Sequence, residues 1–251
     1  MTFIAVDFGN TLTKFGLFAE TDEPFPLPIS VCNDFALLES WVPEEPLDWL
    51  LAHTGGTQYE TLRDWIRKHR FGEYAVDLTF KQIPMPLDVD SPEQVGIDRL
   101  LAAFAARAYA PDTPLLVVDA GSAITVDVVS ADGVFRGGAI LPGFAASAIA
   151  LARISPKLTG INVAEIASAV YPGRNTETAL AAGVYWGAVG AVRQCYEMVG
   201  ASRIVLTGGN GNALKRGLSE FVPENSLVEM PELVLTGAAL VRACAKKSCG
   251  M

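Results

Sequence analysis

The sequence predicts an α/β fold assembled from two related halves, and three observations carry that prediction. Apolar stretches of strand length alternate with stretches of helical periodicity. A strand–turn–strand pattern near the start, Val6-Asp7-Phe8-Gly9-Asn10-Thr11-Leu12-Thr13-Lys14, returns as Val118-Asp119-Ala120-Gly121-Ser122-Ala123-Ile124-Thr125. Aligned on their aspartates, the copies share Val, Asp, Gly and a Thr six positions after the Asp, with Asn10 facing Ser122. Pro111 to Pro114 stands just before the second copy and marks the joint, which places one half at residues 1–112 and the other at 113–251.

The elements read in order as follows. Thr2 to Phe18 is a hairpin of two buried strands around Gly9-Asn10-Thr11. Asp34 to Ser40 is a short helix between proline-rich turns, and Leu47 to His53 a strand. Thr57 to Arg70 is an amphipathic helix with Tyr59, Leu62, Trp65 and Ile66 on one face. Tyr74 to Phe80 is a strand. Ser91-Pro92-Glu93-Gln94 has the pattern of a capping box with proline in the first helical position. After Gly96, the spacing Ile97, Leu100, Leu101, Phe104, Ala105, Ala108 predicts a helix with one buried face. A helix follows from about Ala145, and another spans Thr176 to Val199 with Ala179, Gly183, Gly187 and Ala191 at four-residue intervals. That row of small residues lets a second backbone approach, within the subunit or across a dimer. Arg203 to Leu206 is a strand ending in Thr207-Gly208-Gly209.

Half of the 251 residues are hydrophobic and 19% are charged, a globular composition. The net charge of −9 argues against a nucleic-acid or anionic-membrane surface, which needs clustered Lys and Arg. It leaves ATP open, because backbone N–H groups, a few basic residues and a metal can hold phosphates. Four scattered cysteines and two histidines support neither a zinc site nor a disulfide framework. The first residues enter a strand directly, and the longest uncharged stretch, Gly137 to Ala152, is too short to span a membrane. A cytoplasmic protein is expected.

Each turn offers a carboxylate, glycine and small hydrogen-bonding side chains, which suits a nucleotide's phosphates and their cation. The plain reading of Asp7 is a turn carboxylate bonded to nearby N–H groups; its repetition at Asp119 and the presence of Thr11, Thr13 and Lys14 weigh against it. Lys14 can add charge toward phosphates or stand solvated at a strand end. Asp98 can serve as a base or as a helix N-terminal acid paired with Arg99.

Five motifs occur in order: Asp7-x-Gly9-Asn10-Thr11-x-x-Lys14, Gly96-Ile97-Asp98-Arg99, Asp119-x-Gly121-Ser122-Ala123-x-Thr125-x-Asp127, Gly137-Gly138-x-Ile140-x-Pro142-Gly143 and Thr207-Gly208-Gly209. In this the chain resembles the type III pantothenate kinases of the acetate and sugar kinase/actin-like ATPase superfamily. The resemblance implies duplicated ribonuclease-H-like domains with a nucleotide cleft between them, and phosphorylation of pantothenate by ATP with Mg²⁺ and with K⁺ or NH₄⁺. It implies that Asp98 accepts the proton of the acceptor hydroxyl. Gly96, Ile97, Arg99 and Thr176 would line the pantothenate site with it. Asp7, Phe8, Gly9, Asn10, Thr11, Leu12, Thr13, Lys14 and Ser122 would bind ATP, Asp119 would ligate the monovalent cation, and a homodimer is expected. Ser122 stands where the family usually has Thr, and Val89 where many members have Tyr. Two other readings fit the same motifs: a non-catalytic accessory member acting through a partner, and a kinase of the superfamily with another small alcohol as acceptor.

Overall fold

A computed structural model describes residues 2–9, 12–21, 23–53, 56–70, 73–158 and 162–249. The chain divides into two compact units, Met1–Pro111 with Glu232–Met251, and Asp112–Pro231. The joint at 111/112 falls at the expected proline-rich segment.

In the first unit, β1 (Thr2–Phe8), β2 (Thr13–Ala19) and β3 (Ser30–Cys32) form an antiparallel meander. After α1 (Leu38–Trp41) come β4 (Asp48–Ala52), α2 (Thr57–His69), β5 (Ala75–Asp77) and α3 (Ile97–Tyr109). β4 runs parallel to β1 and β5 parallel to β4, giving the sheet order β3-β2-β1-β4-β5. Successive residues of a strand point to opposite faces. Ile4 and Val6 therefore enter one core with Phe15, Trp49, Leu51, Leu62 and Ile66, while Phe3, Ala5 and Phe18 are buried on the other face. A central strand covered on both sides reads as a nearly continuous apolar run, which is what β1 shows.

The second unit repeats the plan. β6 (Leu115–Ala120), β7 (Ala123–Val129) and β8 (Phe135–Pro142) form the meander. α4 (Phe144–Ile154), α5 (Val163–Ile166) and α6 (Thr176–Val199) lead to β9 (Arg203–Thr207), and α7 (Gly211–Leu218) leads to β10 (Leu227–Glu229). β9 is parallel to β6 and β10 to β9. Read from the β8 edge, the order β8-β7-β6-β9-β10 matches β3-β2-β1-β4-β5 strand for strand and direction for direction. The internal echo in the sequence is thus a duplication of the whole sheet.

α6 has the expected bounds because both ends are capped. The Asn175 side chain accepts the Thr178 N–H while the Thr178 hydroxyl accepts the Asn175 N–H, and Gly200 ends the helix at φ +60°. Tyr185 fixes the helix to α7 by donating to the Ala213 carbonyl at 2.8 Å, and burial pushes its phenol above the usual range.

The last helix, α8 (Leu233–Cys249), packs on α3, β1 and β2 of the first unit. The sequence reading ran the second half through to residue 251; residues 232–251 instead group with the first unit. The physical reason is the backbone contact at Gly237, where any Cβ would overlap the Leu101 carbonyl. Arg242 adds ion pairs to Asp48 at 2.6 Å and Glu20 at 3.0 Å, and Lys246 also bonds Glu20.

Two local expectations are corrected. Ser91 caps nothing with its side chain: Pro92–Gln94 is a single short turn, and the helix starts at Ile97 after Gly96. Ala108 is exposed, and the α3 core residues are Ile97, Leu100, Leu101, Ala102, Ala103, Ala105 and Ala106.

Candidate active site

In each sheet the chemistry-bearing turn follows the first strand, at the end from which the parallel strands also release their chains. In the first unit Asp7 stands opposite Lys14 and Phe8 opposite Thr13 across the β1–β2 ladder. The Gly9 N–H donates to the Leu12 carbonyl at 3.1 Å, closing the turn, and a Cβ on Gly9 would stand 2.8 Å from that oxygen. Thr13 donates its hydroxyl to the Gln58 amide oxygen at 2.7 Å. A cleft of about 200 Å³ lined by Leu12, Thr13, Asn33, Phe35, Thr57 and Gln58 adjoins the turn. Lys14 Nζ lies 3.6 Å from Oε2 of Glu232, just before α8. Asn10 and Thr11 lie outside the described residues.

Phe8 is anchored by neighbours that the sequence reading passed over. Its ring meets the edges of His53 and Tyr59, which stack on each other at 3.6 Å with planes within 15°. Asp77, the last residue of β5, accepts the Tyr59 hydroxyl at 3.1 Å and Arg63 Nη1 at 3.2 Å, and lies 3.4 Å from His53 Nε2. Burial, then the bond to Asp77 and its charge, raises the Tyr59 phenol above its ordinary value. The node joins β4, α2 and β5 beneath the turn. No local pattern announces it, because its residues are scattered along the chain.

Gly96-Ile97-Asp98-Arg99 opens α3 with Gly96 at the cap position. The Asp98 carboxylate folds back on the helix N-terminus, where Oδ1 accepts the Arg99 N–H at 2.9 Å. A Cβ on Gly96 would collide with that same oxygen. The open space at Gly96 is what leaves room for the carboxylate to fold back, its φ of −54° being open to any residue.

Three of the five motifs meet in the second unit. Asp119, next to last in β6, stands opposite Thr125 and beside Thr207 of β9. Gly121 donates to the Ala123 carbonyl at 2.9 Å and Gly143 to the Ser122 carbonyl at 3.1 Å. A Cβ on Gly143 would lie 2.5 Å from the carbonyls of Gly121 and Ser122. Gly208, at φ +81°, presses so closely that a Cβ would overlap Asp119 Oδ1. Likewise Gly138 lies against Val126 and the buried Asp127. Gly143 and Gly208 of the last two motifs are therefore packing partners of the turn that carries Asp119 and Ser122. Thr176 is exposed at the first position of α6.

The family model for type III pantothenate kinase matches residues 3–198, most of the chain. The chain belongs to the type III pantothenate kinase family. A type III pantothenate kinase from Desulfotalea psychrophila is 33% identical over 195 residues, 71% of each chain. One from Rhodopirellula baltica is 44% identical over 162 residues, 62% of this chain and 58% of the relative. Another from Halorhodospira halophila is 42% identical over 154 residues, 59% of this chain and 57% of the relative. The chain thus spans less than two thirds of these last two relatives. Among solved structures, a conserved Baf-family transcriptional activator from Campylobacter jejuni superposes with a TM-score of 0.60 at 21% identity, covering 97% of this chain and 99% of the other. The activator of 2-hydroxyisocaproyl-CoA dehydratase from Clostridium difficile, with bound ADPNP, superposes at 0.57 and 12% identity, covering 100% and 98%. Both likenesses speak for the α/β fold of this pantothenate kinase family member.

Proposed function

We propose that the chain transfers the γ-phosphoryl group of ATP to the 4′-hydroxyl of pantothenate, the first step of coenzyme A synthesis. The observation that carries the reading is the Asp98 carboxylate, folded over Gly96 at the start of α3 in a chain of this family. Phosphoryl transfer passes through a loose transition state, so the protein mostly positions groups and balances charge. Asp98 accepts the hydroxyl proton as the new P–O bond forms, and an ionised carboxylate suits that task near neutral pH. Gly96, Ile97, Arg99 and Thr176 line the acceptor. Asp7 to Lys14 and Ser122 hold ATP, with Gly9 letting the backbone approach the phosphates.

Asp119 would hold K⁺ or NH₄⁺. The fit rests on the donor set: Asp119 Oδ1 faces the glycine backbone at Gly121 and Gly208, and carboxylate and carbonyl oxygens are the donors a hard cation takes. Bound there, the cation would neutralise phosphate charge. Among the described residues no three His, Cys, Asp or Glu side chains gather as a metal cage, so Mg²⁺ would be held largely by the nucleotide itself.

Homodimerisation through α6 is part of this reading. Ala179, Gly183 and Gly187 are exposed, and a Cβ on either glycine would meet nothing within 4 Å. They border an apolar groove of about 470 Å³ with Leu141, Leu151 and Val184. No helix among the described residues is long and apolar enough to cross a membrane, in keeping with a cytoplasmic enzyme.

The test is pantothenate-dependent ADP release from ATP and Mg²⁺, with K⁺ present and with K⁺ replaced by Na⁺. Release that needs both pantothenate and K⁺ is the expected result. Silence from folded protein, or a polyol preferred over pantothenate, refutes it.

A further inference from the structure

The lysine of the first turn already has an anionic partner. Lys14 Nζ lies 3.6 Å from Glu232 Oε2, with the two side chains 23% and 26% exposed. That carboxylate oxygen is itself buried and accepts no hydrogen bond among the described residues. Asp7 stands directly opposite Lys14 in the antiparallel ladder, and residues so paired project to the same face. Two acids from different parts of the chain therefore share the surroundings of one cation, at the turn read above as the nucleotide's. The Glu232 backbone is fixed as well, its carbonyl accepting the Thr236 N–H in the first turn of α8 at 2.9 Å.

We propose that Glu232 sets nucleotide affinity, as a built-in counter-ion that competes with the phosphates for Lys14 and keeps ADP from being held too tightly. The inference rests on the reading of Asp7 to Lys14 as the nucleotide turn. A phosphate oxygen bonded to Nζ would stand roughly 6 Å from the Glu232 carboxylate. At that separation the repulsion of two unit charges changes a binding constant by about threefold in bulk water and about a hundredfold near a protein surface. Partial exposure and salt favour the lower part of that range. Pinning the lysine works in the other direction, but an ion pair 3.6 Å apart with both side chains about a quarter exposed is a weak tether. Repulsion is the larger effect, so removing the charge tightens binding.

The measurement is calorimetric titration of the folded full chain with metal-free ADP, for the unaltered protein and for Glu232→Gln, Glu232→Asp and Lys14→Met. Glu232→Gln is expected to bind ADP about three- to thirtyfold more tightly, and the gain shrinks as choline chloride is added. Glu232→Asp keeps the charge and stays within about threefold of the unaltered protein, and Lys14→Met binds about tenfold more weakly. A purely structural role gives the opposite sign, since local damage loosens a site. Glu232→Gln binding ADP equally or more weakly overturns the inference while the kinase reading stands. Unaltered protein that ignores ADP, or Lys14→Met with unchanged affinity, overturns the inference together with the reading of the turn.

Discussion

The two units share five strands in one order, yet they treat the turn after the first strand differently. In the second unit that turn is walled by glycine backbone: Gly143 sits on the Gly121 and Ser122 carbonyls, and Gly208 on Asp119. In the first unit the corresponding turn is held by side chains. Thr13 bonds Gln58, Lys14 pairs with Glu232, and Phe8 rests on the His53–Tyr59 stack above Asp77. The connections after the third strand differ as well. Where the first unit has the four residues of α1, the second has α4, α5 and the 24 residues of α6. One scaffold thus offers a close-packed turn walled by glycine backbone in one copy and a charged turn held by side chains in the other. A backbone wall resists deformation because buried main chain has nowhere to move, whereas side-chain contacts can be rearranged singly.

That contrast can be broken by experiment. The largest effect is expected where charge chemistry is concentrated: Asp98→Asn should lower turnover by about 10²–10⁴-fold with an unchanged melting temperature. Retained turnover would remove the first unit from its chemical role. Next comes the backbone wall. Gly208→Ala meets both a positive φ and the Asp119 carboxylate, and should cost about 2–4 kcal/mol, read as a melting temperature lower by roughly 5–15 °C. Gly9→Ala in the first unit meets only the Leu12 carbonyl and should cost about 1 kcal/mol. If the order of these two is reversed, the distinction between rigid and adjustable turns fails. Tyr59→Phe removes one donor from Asp77 but leaves Arg63 and His53, so about 1 kcal/mol in denaturant unfolding is expected.

The smallest effect concerns the α8 clasp. The hydrogen bond from Lys246, aided by Arg242, holds the Glu20 carboxyl below its ordinary value of 4.5. A lowered folded-state value contributes stability above pH 4.5 that is lost as pH falls through the lowered value. Glu20→Gln should therefore melt slightly lower than the unaltered protein near pH 6, by under about 1 kcal/mol, and the two should converge toward pH 3. A gap that persists at pH 3 would deny the clasp its ionic character.

Much of the fold was readable because its signals are local. The hairpin strands, α2, α3 and α6 follow from periodicity, and the duplicated turn revealed itself by likeness to its own copy. The order of the five motifs singled out Asp98, Asp119 and Ser122 as candidates, and Gly143 and Gly208 of the later motifs pack on the turn that carries the last two. What escaped was assembled from a distance. His53, Tyr59, Arg63 and Asp77 each look ordinary alone, and Glu232 is far from Lys14 in the chain. The capping pattern at Ser91 misled for a related reason. A start at Ile97 leaves Gly96 open to the Asp98 carboxylate, and that arrangement prevails over a side-chain cap five residues earlier.

The return of α8 to the first unit also orders the birth of the protein. Residues 112–231 form a contiguous unit whose strands are all present once residue 231 has left the ribosome. The first unit, although synthesised earlier, must wait. Until α8 emerges, Leu101 and its neighbours on α3 lack the helix that lies across them, and Phe3 lacks the Arg242 guanidinium stacked over its ring. The half made first is therefore the half finished last, and its uncovered apolar face is the surface a chaperone would meet during synthesis.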